Sequence, residues 1–263
     1  MHPIITSHHN PKIKNVIALE KQRERQAQQV FVVEGRREFA LAADAGYNFI
    51  SVFFCPEIIA SSDILAIVNK EQLLIPVEMS VFQKISYRDS TEGVVAIATQ
   101  KNHSLDTLKL SSNPFIVVLE GLEKPGNLGA ILRTADAAHV DAVIACDPTI
   151  DFYNPNVIRS SVGCIFTVAT AGASVQDTIQ WLKVNNINVL VTDLEASVPY
   201  HTVDYRSPSA VILGTESTGI TQEWKKQATK SIVIPMRGKI DSMNVSNATA
   251  VIVFEAMRQR EFQ

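Results

Sequence analysis

The sequence has little of several things that would classify it at once. Its 263 residues contain three cysteines, Cys55, Cys146 and Cys164, widely spaced and with no CxxC pair. That argues against a disulfide framework and against a thiolate zinc site, and fits reduced thiols in the cytosol. No apolar run approaches the ~20 residues that cross a bilayer. The opening stretch, MHPIITSHHNPKIK, is too polar and too broken by proline for a secretory signal, so a cytoplasmic protein with no membrane partner is expected. Net positive charge is missing too: 24 Lys and Arg against 27 Asp and Glu leave −3. Only a local basic patch could then announce nucleic acid. There is no internal repeat and no low-complexity tract. What is present, 46% apolar and 19% charged residues, describes an ordinary globular chain with ample core. Its length suits one large domain or two modest ones.

Charge is unevenly spread. Between Asn10 and Arg37 lie seven basic residues, Lys12, Lys14, Lys21, Arg23, Arg25, Arg36 and Arg37, against three acidic ones. A solvated helix face laced with Glu/Lys pairs would account for them, and so would a phosphate-binding surface. The following stretch, FVVEGRREFALAADAG, reads as a strand, then a helix with Phe39, Leu41 and Ala42 inward, then a stop at Gly46. Strand-like FISVFFC, LLIPVEM and GVVAIAT, with helical DILAIVNK among them, complete a small α/β domain over residues 1–99. Residues 100–113, QKNHSLDTLKLSSN, are polar and aperiodic and read as a linker.

From residue 114 to 263 a longer series alternates Val/Ile-rich strands with helices. The strands are PFIVVLEG, DAVIAC, CIFTVAT, NVLVTDL, SAVILGTE and SIVIPM. The helices are GNLGAILRTADAA, with Leu128, Ile131, Leu132 and Ala135 on one face, then NPNVIRSS, VQDTIQWLKV, TQEWKKQA and NATAVIVFEAMRQR. Such alternation means a parallel sheet covered on both faces.

Ligands of such sheets bind where loops leave the carboxyl ends of strands, and three loops here carry more than a connection needs. In EGLEKPGNLGAILRTAD, Gly121, Gly126 and Gly129 do not form GxGxxG, and no GK[ST] occurs, so an ordinary dinucleotide site and a P-loop both fail. Asn127 reads there as an N-cap, and Arg133 lies further along the helix, where a guanidinium could grip phosphate with two hydrogen bonds. In ILGTESTGI, Glu216 stands between two glycines directly after an apolar strand. In SIVIPMRGKIDSMNVSNATA a strand meets a helix, and Ser246 or Asn247 suffices to cap it. Ser242 and Asn244 are left over.

Taken together, these loops resemble the three signature motifs of the SpoU-type (TrmH-like) RNA 2′-O-ribose methyltransferases of the SPOUT superfamily. The first is Asn127 followed six residues later by Arg133-Thr134-Ala135; the second is Gly214-Thr-Glu216-Ser-Thr-Gly219. The third runs from Ile234-Pro235-Met236 through Gly238 to Ser242-Met243-Asn244-Val245-Ser246. Two positions depart from the pattern: Met243 stands for the usual Leu, a near volume-conserving swap, and Ser217 where Gly is common. Residues 30–99 resemble the ribosomal-protein-like substrate-binding domain typical of members acting on large-subunit ribosomal RNA.

The resemblance implies an α/β fold of the SPOUT type with a C-terminal trefoil knot, a homodimer, and S-adenosyl-L-methionine as the methyl donor. It implies Asn127, Arg133, Glu216, Ser242 and Asn244 as the catalytic set. Leu213, Gly214, Ile234, Met236 and Met243 would contact the cofactor. No metal is implied. RNA, with 23S rRNA the expected one, would meet Lys12, Lys14, Arg23, Arg25, Arg36, Arg37 and Arg159, helped by Arg133 and Arg237. The readings that compete with this are a non-catalytic ribosome assembly factor on the same scaffold and a tRNA 2′-O-methyltransferase.

Overall fold

The structure is a computed structural model that describes residues 2–87, 92–148, 150–196, 198–214 and 219–262. In chain order the first elements are α1 (Pro11–Ala18), α2 (Gln22–Gln28), β1 (Val30–Glu34), α3 (Arg36–Asp44), β2 (Phe49–Phe54), α4 (Ser61–Leu65), β3 (Leu74–Pro76), α5 (Met79–Ile85) and β4 (Val94–Thr99). Then come β5 (Phe115–Glu120), α6 (Pro125–Ala137), β6 (Ala142–Cys146), α7 (Pro155–Ser160), β7 (Thr170–Ala173), α8 (Val175–Val184) and β8 (Asn188–Thr192). The last are β9 (Val198–Pro199), β10 (Ser209–Leu213), α9 (Gln222–Gln227), β11 (Lys230–Val233) and α10 (Val245–Gln259). The chain divides into two compact units, residues 1–101 with 151–167, and residues 102–150 with 168–263.

The first unit is built on a four-stranded sheet, β1-β4-β2-β3. β4 lies antiparallel between β1 and β2, and β3 runs parallel to β2. α1 starts where its sequence says it should: the Asn10 side chain accepts from the Lys12 amide at 2.9 Å, and Pro11 needs no amide partner at the first helical position. That turns Ile13 and Val16 into a core with Phe53, Val77, Phe82 and Val95. The segment 151–167 belongs to this unit, so a single cut near residue 113 does not describe the division. An aromatic cluster holds it: Tyr153 stacks on Phe31 at 4.1 Å between centroids, and Phe166 meets the edge of Tyr47 at 5.1 Å. This is also why CIFTVAT is not the strand its β-branched residues suggest. Only Thr170–Ala173 pairs, while Cys164 to Thr167 form turns that bury Ile165 and Phe166.

Arg25, expected on the RNA surface, is only 1% exposed. Its guanidinium donates through Nε to Asp151 Oδ2 at 2.7 Å and through one terminal nitrogen to the Leu19 and Glu20 carbonyls at 2.8 and 2.7 Å. A buried charge survives only when its donors are used, and here they close the C-terminal turn of α1 and clasp the 151–167 segment. Arg25 is a structural residue of this unit, not part of an RNA-facing surface.

The second unit carries a seven-stranded sheet in the order β7-β6-β5-β10-β8-β11-β9, with every pairing parallel. All six residues of β5 and all five of β10 are buried, as a parallel sheet covered on both faces requires. α6 packs against α10, and α8 against α9. α6 buries the apolar stripe expected of it, Leu128, Ile131, Leu132 and Ala135, with Gly129 added. α8 begins at Ser174, whose hydroxyl accepts from the Asp177 amide at 3.0 Å. The expected linker is partly docked here: Leu105, Leu108 and Leu110 pack on the core that contains Trp224 and Leu182. Among the described residues no helix is long and apolar enough to cross a membrane.

Replacing Arg25 with Met should leave Asp151 and two carbonyls without their partner. The loss is expected to be about 3 kcal/mol, typical of breaking a buried pair from one side, and a urea unfolding curve measures it.

Candidate functional site

β8, β10 and β11 end side by side at Thr192, Leu213 and Val233, and the chain beyond those ends surrounds a cleft of about 600 Å³. The apolar part of its lining comes from Leu213, Ile220, Ile232, Ile234, Met236 and Met243, beside polar residues such as Thr192, Asp193 and Ser242. The five residues singled out in the sequence for a cofactor, Leu213, Gly214, Ile234, Met236 and Met243, all line this one cleft. Parallel strands delivering their carboxyl ends to one edge is the reason.

Gly214 is fixed by space. A β-carbon there would fall on the Gly219 carbonyl and against Ile220 Cγ1, so only hydrogen fits where the chain returns past itself. On the rim, Asp193 and Lys225 form an ion pair of 2.7 Å, and Glu195 and Gln222 stand beside them. Partial burial alone would raise the Asp193 carboxyl, but hydrogen bonds from Lys225 Nζ and the Glu195 amide outweigh it and hold the group below the usual carboxylate range. The same hydrogen bond raises Lys225. A depressed acid and a raised base keep the pair ionised through neutral pH. It is lost as pH falls through the Asp193 value or rises through that of Lys225. These rim residues carry no motif, although TDLE follows an apolar strand as directly as the two glycine loops do.

Asn127 is not an N-cap. α6 starts at Pro125 with Lys124 as the cap residue, which puts Asn127 in the third helical position. There its Oδ1 accepts from Asn244 Nδ2 at 3.2 Å, joining two motifs 117 residues apart. Asn244 in turn is the cap of α10: its Oδ1 accepts from the Ser246 amide at 3.0 Å and from the Ser246 hydroxyl at 2.6 Å. The cap expected at Ser246 or Asn247 is thus supplied by Asn244, whose amide end remains for Asn127. Neighbouring Met243 and Val245 line the cleft. Ser242 lines it too, exposed, and donates to Asp241 Oδ1 at 3.2 Å.

Arg133 lies on α6 with its side chain exposed and no ion pair among the described residues. Glu216 lies outside the described residues. Cys146 offers no nucleophile: burial, only partly offset by its hydrogen bond to Thr178, pushes its thiol up to about 12. In the first unit Lys12, Lys14, Arg23, Arg36 and Arg37 are exposed on α1 to α3, and Arg159 is exposed on α7. Among the described residues no group of three His, Cys, Asp or Glu could hold a metal ion.

An all-parallel sheet, a cleft at its carboxyl edge and a cross-motif amide pair at that cleft define an α/β protein that holds a small ligand without a glycine-rich phosphate loop. Residues 114–254 match the SpoU rRNA methylase family, and the chain belongs to that family. Residues 10–96 match an MRM3-like substrate binding domain. An AdoMet-bound rRNA methyltransferase from Sinorhizobium meliloti is 31% identical, with a TM-score of 0.89 and 97% of each chain covered. The Bacillus subtilis 23S rRNA (guanosine(2553)-2′-O)-methyltransferase RlmP is 25% identical over 95% of this chain and 97% of its own. The 23S rRNA (uridine(2479)-2′-O)-methyltransferase of Streptomyces viridochromogenes is 26% identical over 88% of this chain and 83% of its own.

Two outcomes test the cleft. Gly214→Ala should destabilise the protein by about 1–3 kcal/mol, the usual cost of overpacking against backbone that cannot yield, read from the urea midpoint. Lys225→Met should raise the Asp193 pKa, because burial stays while its main hydrogen-bond donor goes; a carboxyl-carbon NMR titration follows it.

Proposed function

We propose that this protein transfers the methyl group of S-adenosyl-L-methionine to a ribose 2′-hydroxyl of 23S rRNA. The observation that carries the reading is the Asn127–Asn244 hydrogen bond of 3.2 Å. It joins two of the three motifs beside a cleft walled by Leu213, Ile234, Met236 and Met243.

The cleft fits the donor. Apolar walls suit an adenine ring, the space left by Gly214 lets backbone approach closely, and the ionic rim at Asp193 and Lys225 suits polar ends. S-adenosylmethionine, when bound, supplies an electrophilic methyl carbon on a sulfonium. The chain's task is then to bring a hydroxyl oxygen into line with that carbon and to ease loss of its proton. Arg133 is suited to holding an RNA phosphate and stabilising the forming alkoxide. It is not suited to taking the proton, because a guanidinium stays protonated in proteins. Asn127, Ser242 and Asn244, with Glu216, would orient the reacting ribose.

Relatives named for a guanosine and for a uridine both span nearly this whole chain. That supports a catalytic unit addressed to the ribose rather than the base, with ribosomal RNA selected through the first unit. There Lys12, Lys14, Arg23, Arg36, Arg37 and Arg159 provide exposed cations for phosphate contact. We place the enzyme in the cytoplasm. We read it as a homodimer, in which α10, apolar along most of its length yet with Phe254 43% exposed, offers surface for a second copy. The C-terminal trefoil knot belongs to the same reading, and the close passage of chain at Gly214 is what such threading requires.

The test is transfer of a labelled methyl group from S-adenosylmethionine to a 23S rRNA transcript. Label is expected on a ribose. Arg133→Ala should lower kcat at least about a hundredfold, as losing one transition-state donor does, with cofactor affinity unchanged. Label on a base, or full activity in that variant, would overturn the reading.

A further inference from the structure

The first unit has a groove of its own, floored by Val16, Val32, Ile85 and Ile158 and edged by Glu20, Glu34, Tyr87 and Arg159. Tyr87 is 45% exposed, yet it is held at three points, two of them on the side chain. Its amide donates to Glu34 Oε2 at 2.9 Å, and its hydroxyl donates to Asn156 Oδ1 at 3.2 Å. The Arg159 guanidinium lies 5.7 Å from the ring centroid. Asn156 and Arg159 are successive-turn residues of α7, so one short helix fixes both the hydroxyl and the cation. An aromatic ring that is solvent-exposed and immobilised has already lost the freedom that stacking would otherwise take away. An apolar floor beside it suits the flat face of a nucleobase. The two carboxylates at the edge repel phosphate and accept hydrogen bonds, so the groove favours a base edge over the RNA backbone.

We propose that this groove is a stacking site for one unpaired RNA base. The base stacks on Tyr87 with the Arg159 guanidinium beside it, and the Glu20 carboxylate favours a base that carries an exocyclic amino group. The inference rests on the reading that RNA is the substrate, and adds a place where sequence can be read apart from the methylated ribose. Single-stranded bases are recognised in this way, by aromatic stacking and by hydrogen bonds to their exposed edges.

Filter binding of a 23S rRNA transcript tests it. Tyr87→Ala should weaken binding roughly tenfold, the effect of one lost base stack. Tyr87→Phe, which keeps the ring, should stay close to the parent. In both, S-adenosylmethionine affinity and thermal unfolding should be unchanged. Unaltered RNA affinity in Tyr87→Ala, or an equal loss in Tyr87→Phe, overturns the site. A second arm uses the unmutated protein: photocrosslinking of iodocytidine- and iodouridine-substituted single strands, mapped by mass spectrometry. Crosslinks at Tyr87, with a higher yield for cytidine, are expected; crosslinks only elsewhere, or equal yields, overturn the site or its amino preference respectively. Neither arm reads methyl transfer. A protein that crosslinks at Tyr87 but methylates nothing would therefore sink the proposed reaction and leave the base site standing.

Discussion

The position of β10 sets the terms for the second unit. It is the tenth strand in the chain, yet it lies between β5 and β8 in the middle of an all-parallel sheet. Both its neighbours are laid down earlier, and its five residues, Ser209 to Leu213, are all buried. A central parallel strand cannot leave by the sheet's edge, so its carboxyl end emerges where β8 and β11 also end. Other backbone already lines the space at that end. Gly214 is the consequence: its missing side chain is the room through which residues 219–220 return. Cleft walls, rim ion pair and amide bridge are all arranged around that crowded exit.

Much of this was legible in the sequence, and what was missed shares a cause. α8 spans Val175–Val184, the stretch its periodicity marks, because Ser174 caps it and its apolar spacing is regular. The α6 stripe was equally plain. The misread residues are those whose role depends on a partner far along the chain. Arg25 sits in a run of charged residues and looks solvated; only Asp151, 126 positions away, makes it a buried clasp. CIFTVAT has strand composition, but its aromatic and branched residues are used for packing in another unit. α5 and the two-residue β9 are too short to carry a period. For the candidate site, the motifs carried no geometry. Asn127 was expected to cap and does not, whereas Asn244 caps and also bridges.

That double use of Asn244 links the capping of α10 to its packing on α6. An N-cap side chain is worth about 1 kcal/mol to a helix, and an asparagine needs only its oxygen for it. Its two amide hydrogens are then aimed by the helix itself, at no further cost in side-chain freedom. One goes to Asn127 on α6, so the orientation of α10 against α6 and the orientation of the two polar side chains are a single geometric fact. An ionised aspartate would cap as well, but it carries no donor to offer Asn127.

Electrostatics divides the work in the same way. A chain of net charge −3 cannot attract RNA globally, so its cations must be deployed rather than pooled. Arg25 is withdrawn into the core, and Lys225 and Arg260 are committed to Asp193 and to backbone carbonyls. The exposed cations include Lys12, Lys14, Arg23, Arg36 and Arg37 on α1 to α3, Arg159 on α7, and Arg133 on α6. Arg133 has no carboxylate partner among the described residues, which distinguishes it from Arg206 and Arg258, each paired to a neighbour on its own segment. A guanidinium pre-paired to a carboxylate must break that pair before it can take a phosphate with both nitrogens. One that is unpaired and mounted on a packed helix meets a phosphate at full strength and in fixed geometry. Arg133 is such a guanidinium, exposed on α6 and without an ion pair among the described residues.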